Sequence, residues 1–135
     1  MSDVSALSHE YQTSAKVAEE LNEAIIAIKK SRIHNRSGLT GDQRRRVAEM
    51  LQAVHNRLVN SNSSRVEVLP QEMVDRLNGR HGSQMAYFLE DLTEATRTLA
   101  DESSPVSDAA IQLLDEICDV ADQTASSMFR RMRRR

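Results

Sequence analysis

The sequence predicts an all-α fold, organised as a single domain of four long antiparallel helices and one short helix. Apolar residues recur at alternating steps of three and four along most of the 135 residues, which is the spacing of one helix face. The chain has only four glycines and two prolines, too few for the frequent turns of an all-β protein. Aromatic residues make up 3% and tryptophan is absent, so the core must be aliphatic.

The first helix is predicted over about residues 5–31. Its apolar stripe alternates steps of four and three, and Ser14 is the weak position in it. The segment "HNRSG" then interrupts the helix, where Gly38 can supply a left-handed or extended residue. The stripe residues are Leu7, Tyr11, Ser14, Ala18, Leu21, Ile25 and Ile28.

The second helix is predicted to begin at a capping box and to end at about Val59. Thr40 is followed three residues later by Gln43, which is the spacing of two reciprocal cap hydrogen bonds. After a polar loop, "VEVLP" alternates its valines and indicates a short extended stretch with no second strand to pair with. The stripe residues are Val47, Leu51, Val54 and Leu58.

The remaining helices are one short and two long. The short third helix is predicted over about residues 70–77, with Pro70 in its first turn and Gly79 just past its end. The fourth is predicted over about residues 83–100, and the fifth from about residue 105 or 107 into the tail. Connections of roughly 5–10 residues favour antiparallel neighbours. The termini, about residues 1–5 and 130–135, are expected to be flexible.

Charge is segregated along the chain, although the formal net charge is only −2. Residues 29–65 carry nine basic and two acidic residues, whereas residues 86–129 carry ten acidic residues and a single arginine, Arg97. The segment "FRRMRRR" then adds five arginines. Blocks of opposite sign favour contacts between oppositely charged helices, within one chain or between copies.

Three consecutive arginines stand near the start of the second helix, where the macrodipole favours acids instead. At 100° per residue they spread over about 200°, so Arg44 should lie at the core edge, with Arg45 and Arg46 pointing outward. We expect the acidic fourth and fifth helices to lie against this basic end and to balance its charge. Their acids are Glu90, Asp91, Glu94, Asp115, Glu116, Asp119 and Asp122.

The tail contains more arginines than the macrodipole at the end of a helix requires. A cation there contributes ~0.3–1 kcal/mol and acts only within the last turn, so one or two arginines would suffice. Five are most stable near an anionic surface, which is a phosphate backbone, an anionic membrane or the acidic face of a second copy. The candidate partner or anion contacts are Lys29, Lys30, Arg32, Arg36, Arg44, Arg45, Arg46, Arg130, Arg131, Arg133, Arg134 and Arg135.

No pattern in the sequence predicts a catalytic site, a cofactor or a metal centre. None of the four histidines has an acid three places before it, and the chain has no cysteine pair. Cys118 cannot form an internal disulfide, and we expect it to be buried as a small apolar residue. The segment "NGRHGS" around His81 is interpreted as an interhelical turn, and the acids of the fifth helix as its solvent side.

These observations predict a non-enzymatic interaction or scaffold protein that acts through helix faces and charge blocks and self-associates as a homo-oligomer. No apolar run is long enough to span a membrane and no secretory signal is visible, so the expected compartment is the cytoplasm. The alternative is a nucleic-acid-associated protein that uses residues 29–46 and the arginine tail; the acidic block and the lack of aromatics for base stacking count against it. A helical enzyme or ligand carrier with a pocket between the stripes is a third interpretation.

Overall fold

A computed structural model describes residues 3–34, 38–60 and 69–133, and the chain is all-α there. The all-α part of the prediction is confirmed, because no strand occurs in these ranges. One turn of 3₁₀ helix, Gly82–Gln84, leads directly into the fourth α-helix. The α-helices are α1 (Asp3–His34), α2 (Gly41–Val59), α3 (Gln71–His81), α4 (Met85–Ala100) and α5 (Asp108–Arg133).

The first and last helices, α1 and α5, pack against each other and run antiparallel. The ring centroids of Tyr11, early in α1, and Phe129, late in α5, are 5.8 Å apart. Further along α1, the backbone oxygen of Ala18 accepts a hydrogen bond from the Sγ of Cys118 at 3.3 Å. As the residue number rises along α1 it therefore falls along the neighbouring turns of α5.

Two other helix pairs are also antiparallel. Arg44, in the first turn of α2, donates to the backbone oxygen of Leu99, in the last turn of α4. Arg80, near the end of α3, donates to Asp119 of α5, whereas Glu72, at the start of α3, accepts from Arg131 of α5. Helix α4 contacts both α2 and α5.

The apolar stripes face one shared core, which is aliphatic as the composition predicts. Phe88 is the one aromatic among the buried residues of the described ranges, and Ser14, the weak position of the first stripe, is fully buried. A leucine or isoleucine removed from water in this way contributes ~1.5–3 kcal/mol to folding. Stripe residues that are at most 3% exposed include Leu21, Ile25, Leu51, Leu92 and Ile117.

The capping box at the start of α2 is present. The hydroxyl of Thr40 accepts from the backbone nitrogen of Gln43 at 3.2 Å, and the side-chain oxygen of Gln43 accepts from the backbone nitrogen of Thr40 at 2.9 Å. Two donors that the helix leaves unsatisfied are thereby paired. The extended stretch predicted in "VEVLP" lies outside the described residues, apart from Leu69 and Pro70, which are both buried.

Two glycines differ from their predicted roles. Helix α3 continues through Gly79 and ends at His81, because the backbone turns at Gly82, whose φ is +44°. Gly38 is not in the left-handed region; it is required by close approach, since a Cβ there would lie 2.9 Å from the backbone oxygen of Ala27. Contact rather than conformation therefore selects glycine after α1.

Candidate interaction site

Arg44 is the buried member of the arginine triplet, with 8% of its surface exposed. Its Nε donates to the backbone oxygen of Leu99 at 2.9 Å, and its Nη2 donates to those of Thr98 at 2.7 Å and Asp101 at 2.8 Å. The last carbonyls of a helix have no partner within it and carry a partial negative charge. The guanidinium of Arg44 satisfies them and so fixes the start of α2 to the end of α4.

The turn that follows α4 is organised around a carboxylate. Asp101 accepts from the hydroxyls of Ser103 and Ser104 at 2.6 and 2.7 Å, and from the backbone nitrogen of Ser103 at 3.1 Å. These hydrogen bonds stabilise the charged form and lower the pKa of Asp101, and the charge of Arg44 lowers it further. The hydrogen bonds of the Arg44 guanidinium and of the Asp101 carboxylate together stabilise the end of α4 and the turn after it.

The other two arginines of the triplet point outward. The end of α4 lies against the start of α2 as expected, but the described ion pairs of Arg45 and Arg46 are not with acids of α4 or α5. Arg45 contacts Asp42, one turn earlier in α2, at 3.4 Å. The Nε of Arg46 donates to Glu20 of α1 at 3.0 Å. The positive charge of the three arginines at the start of α2 is therefore balanced by Asp42 of α2, by Glu20 of α1 and by backbone carbonyls at the end of α4. In the described contacts, the acidic side chains of α4 and α5 do not take part.

The remaining described candidates of the basic middle segment are in α1. Lys29 and Lys30 are exposed near the end of α1. The candidates whose side chains lie outside the described part of the chain are Arg32, Arg36, Arg134 and Arg135.

The described arginines of the tail are exposed at the end of α5. Arg131 forms an ion pair with Glu72 of α3. The guanidinium of Arg133 lies 5.7 Å from the centre of the Phe129 ring, which is within the range of a cation–π contact. Arg130 lies beside them on the exposed side of the helix. Only Arg131 of the three has a carboxylate partner among the described contacts.

The two basic segments are far apart. The end of α5 lies beside Tyr11, near the start of α1, whereas Lys29 is 18 residues further along α1, which at 1.5 Å per residue is about 27 Å. Arg46 contacts Glu20, roughly midway between them. The described residues therefore do not form one continuous basic face, and a role in nucleic-acid binding stays a prediction.

A line of exposed residues on α5 connects an acidic half to a basic end. These residues follow one another at steps of four and three, so they lie within about 40° of one direction around the helix. We name this line the α5 stripe; it consists of Asp115, Asp119, Asp122, Ser126, Phe129 and Arg133. Its first half is anionic, its centre is small and neutral, and its end is aromatic and cationic.

The α5 stripe forms one wall of a groove between α1 and α5, with a volume of about 720 Å³. Small side chains, among them Ala15, Ala18 and Ala125, line it and leave it wide. Phe129 at its basic end is 43% exposed. A wide groove with an exposed aromatic residue and two charged ends is suited to a helix of a partner.

Cys118 lines the same groove and is half-buried, which corrects the prediction that it is a buried core residue. Its thiol donates to the backbone oxygen of Ala18 at 3.3 Å. Burial raises the pKa of Cys118, and the charges of Asp115, Asp122 and Asp119 raise it further. The thiol is therefore a poor nucleophile near neutral pH.

His81 is held at the end of α3 by two contacts. Its ring stacks on that of Phe88, with centroids 3.9 Å apart, and its Nε2 lies 2.6 Å from a carboxylate oxygen of Glu116. The neighbouring Arg80 donates to Asp119 at 2.9 Å. These contacts join the turn between α3 and α4 to α5, and this turn agrees with the sequence interpretation.

Within the described ranges, no three histidine, cysteine, aspartate or glutamate side chains are placed to hold a metal ion. No described helix combines the length and the hydropathy needed to cross a membrane. No protein-family model, no curated protein and no solved structure matches the chain. The candidate interaction site is therefore described from the contacts of this chain alone, without a relative for comparison.

Sequence reasoning missed Phe129 and the acidic half of the α5 stripe as parts of a site. The acids were interpreted as the solvent side of the helix, which is where they lie. What distinguishes them is that exposed residues from Asp115 to Arg133 recur at alternating steps of four and three, as the buried residues of α5 do, and so form a second line along the helix. Such a line is typical of a helix with a partner on each side.

Proposed function

We propose that this chain is a non-enzymatic interaction protein, a bundle of four long antiparallel helices and one short helix that self-associates through its α1–α5 face. In this role it acts as a small scaffold, and a second copy of the chain is its first partner. The observation that carries the proposal is the α5 stripe, in which acidic and basic ends are joined by an exposed aromatic residue, Phe129.

Charge complementarity supports a second copy as the occupant of this surface. Asp115 and Asp122 of the acidic half make no described ion pair and attract a cationic partner, whereas the basic end attracts an anionic one. Two copies in opposite orientations supply both at once, because each offers the surface that the other requires. Within one chain the ends cannot meet, since Asp115 and Arg133 are 18 residues, about 27 Å, apart on a single helix.

Apolar burial supports the same surface. Phe129 is 43% exposed and packs only partly against Tyr11, so a partner that covers the two rings removes further apolar area from water. The charges direct the orientation, while the aromatic contact and the groove supply the area. Salt should therefore weaken the association without abolishing its apolar part.

The proposed compartment is the cytoplasm. The chain has a single cysteine, so its stability does not depend on an oxidising environment. The half-buried position and raised pKa of Cys118 keep its thiol in the protonated form there.

Sedimentation equilibrium on the purified chain at micromolar concentration tests the proposal. We expect a dimer whose dissociation constant rises when sodium chloride is increased. The triple variant Asp115→Lys, Asp119→Lys, Asp122→Lys removes the acidic half of the stripe, and we expect it to be monomeric at the same concentration because both ends of its stripe are cationic.

The matched control is the triple variant Glu90→Lys, Asp91→Lys, Glu94→Lys on α4. It replaces three exposed acids by lysines and changes the net charge by the same amount, but it leaves the α1–α5 face intact. We expect this variant to dimerise like the original chain. A monomer at micromolar concentration in both low and high salt would refute self-association.

A further inference from the structure

We propose that two copies pair through antiparallel α5 helices, with a two-fold axis at Ser126. This inference rests on the proposed self-association and adds the orientation and register of the two chains. The second copy is the occupant because its α5 stripe carries, in reverse order, the charges that the first stripe lacks.

The surface is continuous and exposed. The α5 stripe extends over 18 residue steps, about 27 Å. All six of its residues are exposed, including Phe129 at 43%. No described helix of the same chain covers this line. A partner α5 can therefore follow it from Asp119 to Arg133, where the two stripes overlap.

The charges determine the orientation of the second helix. Parallel pairing would place the acidic half of one stripe against the acidic half of the other, and like charges in contact oppose association. Antiparallel pairing reverses the second stripe and brings Asp119 and Asp122 of each copy towards the basic end of the other. A two-fold axis perpendicular to α5 produces this arrangement and duplicates each contact.

The spacing of the charges determines the register. With the axis at Ser126, Asp122 faces Arg130 of the second copy, and Asp119 faces Arg133. Symmetry repeats both pairs, which gives four ion pairs across the interface. Phe129 then lies over the aliphatic part of Gln123.

Neighbouring registers lose these pairs. One helical turn earlier, with the axis at Asp122, Arg133 faces Ile111, which is buried. One turn later, with the axis at Phe129, Arg130 and Arg133 face Met128 and Ala125, both buried. The axis at Ser126 is therefore the register of the stripe that the charges favour.

The contacts within each chain are compatible with this pairing. Asp119 already accepts from Arg80 at 2.9 Å and from the side-chain nitrogen of Gln123 at 3.0 Å, both at one oxygen. A carboxylate accepts about four hydrogen bonds, so Arg133 of a second copy can bind its other oxygen. Ser126 is exposed and small, which lets two backbones approach closely at the axis. The basic end of the stripe makes no described ion pair through Arg130 or Arg133.

Disulfide trapping tests the axis directly. In a Cys118→Ser background, Ser126→Cys places a single cysteine at the proposed axis. Helix axes 8–10 Å apart and a Cα radius of about 2.3 Å leave about 3.4–5.4 Å between the facing Cα atoms, and the upper part of this range is within reach of a disulfide. Under mild oxidation we expect a covalent dimer on a non-reducing gel.

The matched control places the cysteine off the axis. Asp119→Cys in the same background puts its two copies about 21 Å apart, so we expect no covalent dimer from it alone. Mixed with Arg133→Cys, which faces it, it should form a covalent heterodimer. Trapping of Asp119→Cys alone at the rate of Ser126→Cys would overturn the register.

A charge exchange gives an independent readout that leaves the Arg80–Asp119 contact intact. Asp122→Arg and Arg130→Asp each place like charges opposite one another twice in a homodimer, and we expect each to raise the dissociation constant roughly tenfold. An equimolar mixture restores both pairs and should dimerise like the original chain. No recovery in the mixture would overturn the assignment.

The two proposals fail differently. If the original chain is dimeric by sedimentation but Ser126→Cys is not trapped and the charge exchange does not rescue, then the register is wrong and self-association stands. If the original chain is monomeric, the proposed function itself fails.

Discussion

Replacing Arg44 by methionine should destabilise the chain by about 2–4 kcal/mol. The substitution removes three hydrogen bonds from a guanidinium that is 8% exposed, and it leaves the last carbonyls of α4 without these donors. A hydrogen bond to a charged group contributes roughly 1.5–3 kcal/mol net. Water recovers part of this loss at Asp101, which is exposed, so the expected total is below three full bonds.

Methionine is chosen because it retains an unbranched apolar stem. The aliphatic part of Arg44 packs at the edge of the core, and methionine fills much of that space without a charge. The measured loss then reports the guanidinium contacts rather than a cavity. A loss of ~2–4 kcal/mol is large against the ~5–15 kcal/mol that stabilise a typical domain.

The assay is urea unfolding followed by far-ultraviolet circular dichroism, at one protein concentration because self-association would couple to stability. The matched control is Arg45→Met, the next arginine, whose contact with Asp42 is exposed on both sides. An exposed pair contributes about 0–1 kcal/mol, so this control should unfold near the original midpoint.

The salt dependence of stability further distinguishes the Arg44 and Arg45 substitutions. The Arg45–Asp42 contact is exposed and is screened by salt, whereas the contacts of Arg44 are buried against backbone carbonyls and are screened much less. We expect the difference between the two variants to persist in high salt. Equal midpoints for Arg44→Met and Arg45→Met would show that Arg44 does not fix α2 to α4.

Three further outcomes are expected. Gly79→Ala should stabilise the chain and Gly82→Ala should destabilise it, by about 0.5–1 kcal/mol each in urea unfolding, because Gly79 is inside α3 and Gly82 has a φ of +44°. The raised pKa of Cys118 should make its alkylation slow near neutral pH, and Asp115→Asn should accelerate it in a mass-spectrometric time course. The pKa of Asp101 is lowered on folding, so its ionised form stabilises the chain at neutral pH and this stability is lost as the pH falls through the folded-state pKa. Asp101→Asn should therefore lower the urea midpoint at neutral pH but not in strong acid.

The helices could be predicted because their signals are local. Apolar spacing, the Thr40 capping box and the position of proline at the start of α3 all act over one or two turns. The end of α3 was predicted less well, because Gly79 and Gly82 are both turn residues by type. Only the backbone shows that the left-handed φ is at Gly82.

The partners of the charges could not be predicted, because counting charged side chains omits backbone carbonyls. Arg44 donates to three backbone oxygens and to no carboxylate, so no pairing of charged residue types could have identified its partners. The partner of Arg46 is Glu20, which is in a helix that the charge blocks did not single out. Tertiary packing decided both contacts.

The pairing of α1 with α5 has a consequence for synthesis. Ala18 and Cys118, which touch across this pair, are a hundred residues apart along the chain, so α1 leaves the ribosome long before its partner exists. Its apolar side, which includes Leu21 and Ile25, then remains uncovered for several seconds at ~5–20 residues per second. We expect the nascent chain to need protection by a chaperone during this interval, and a delay in folding until translation reaches the end of α5.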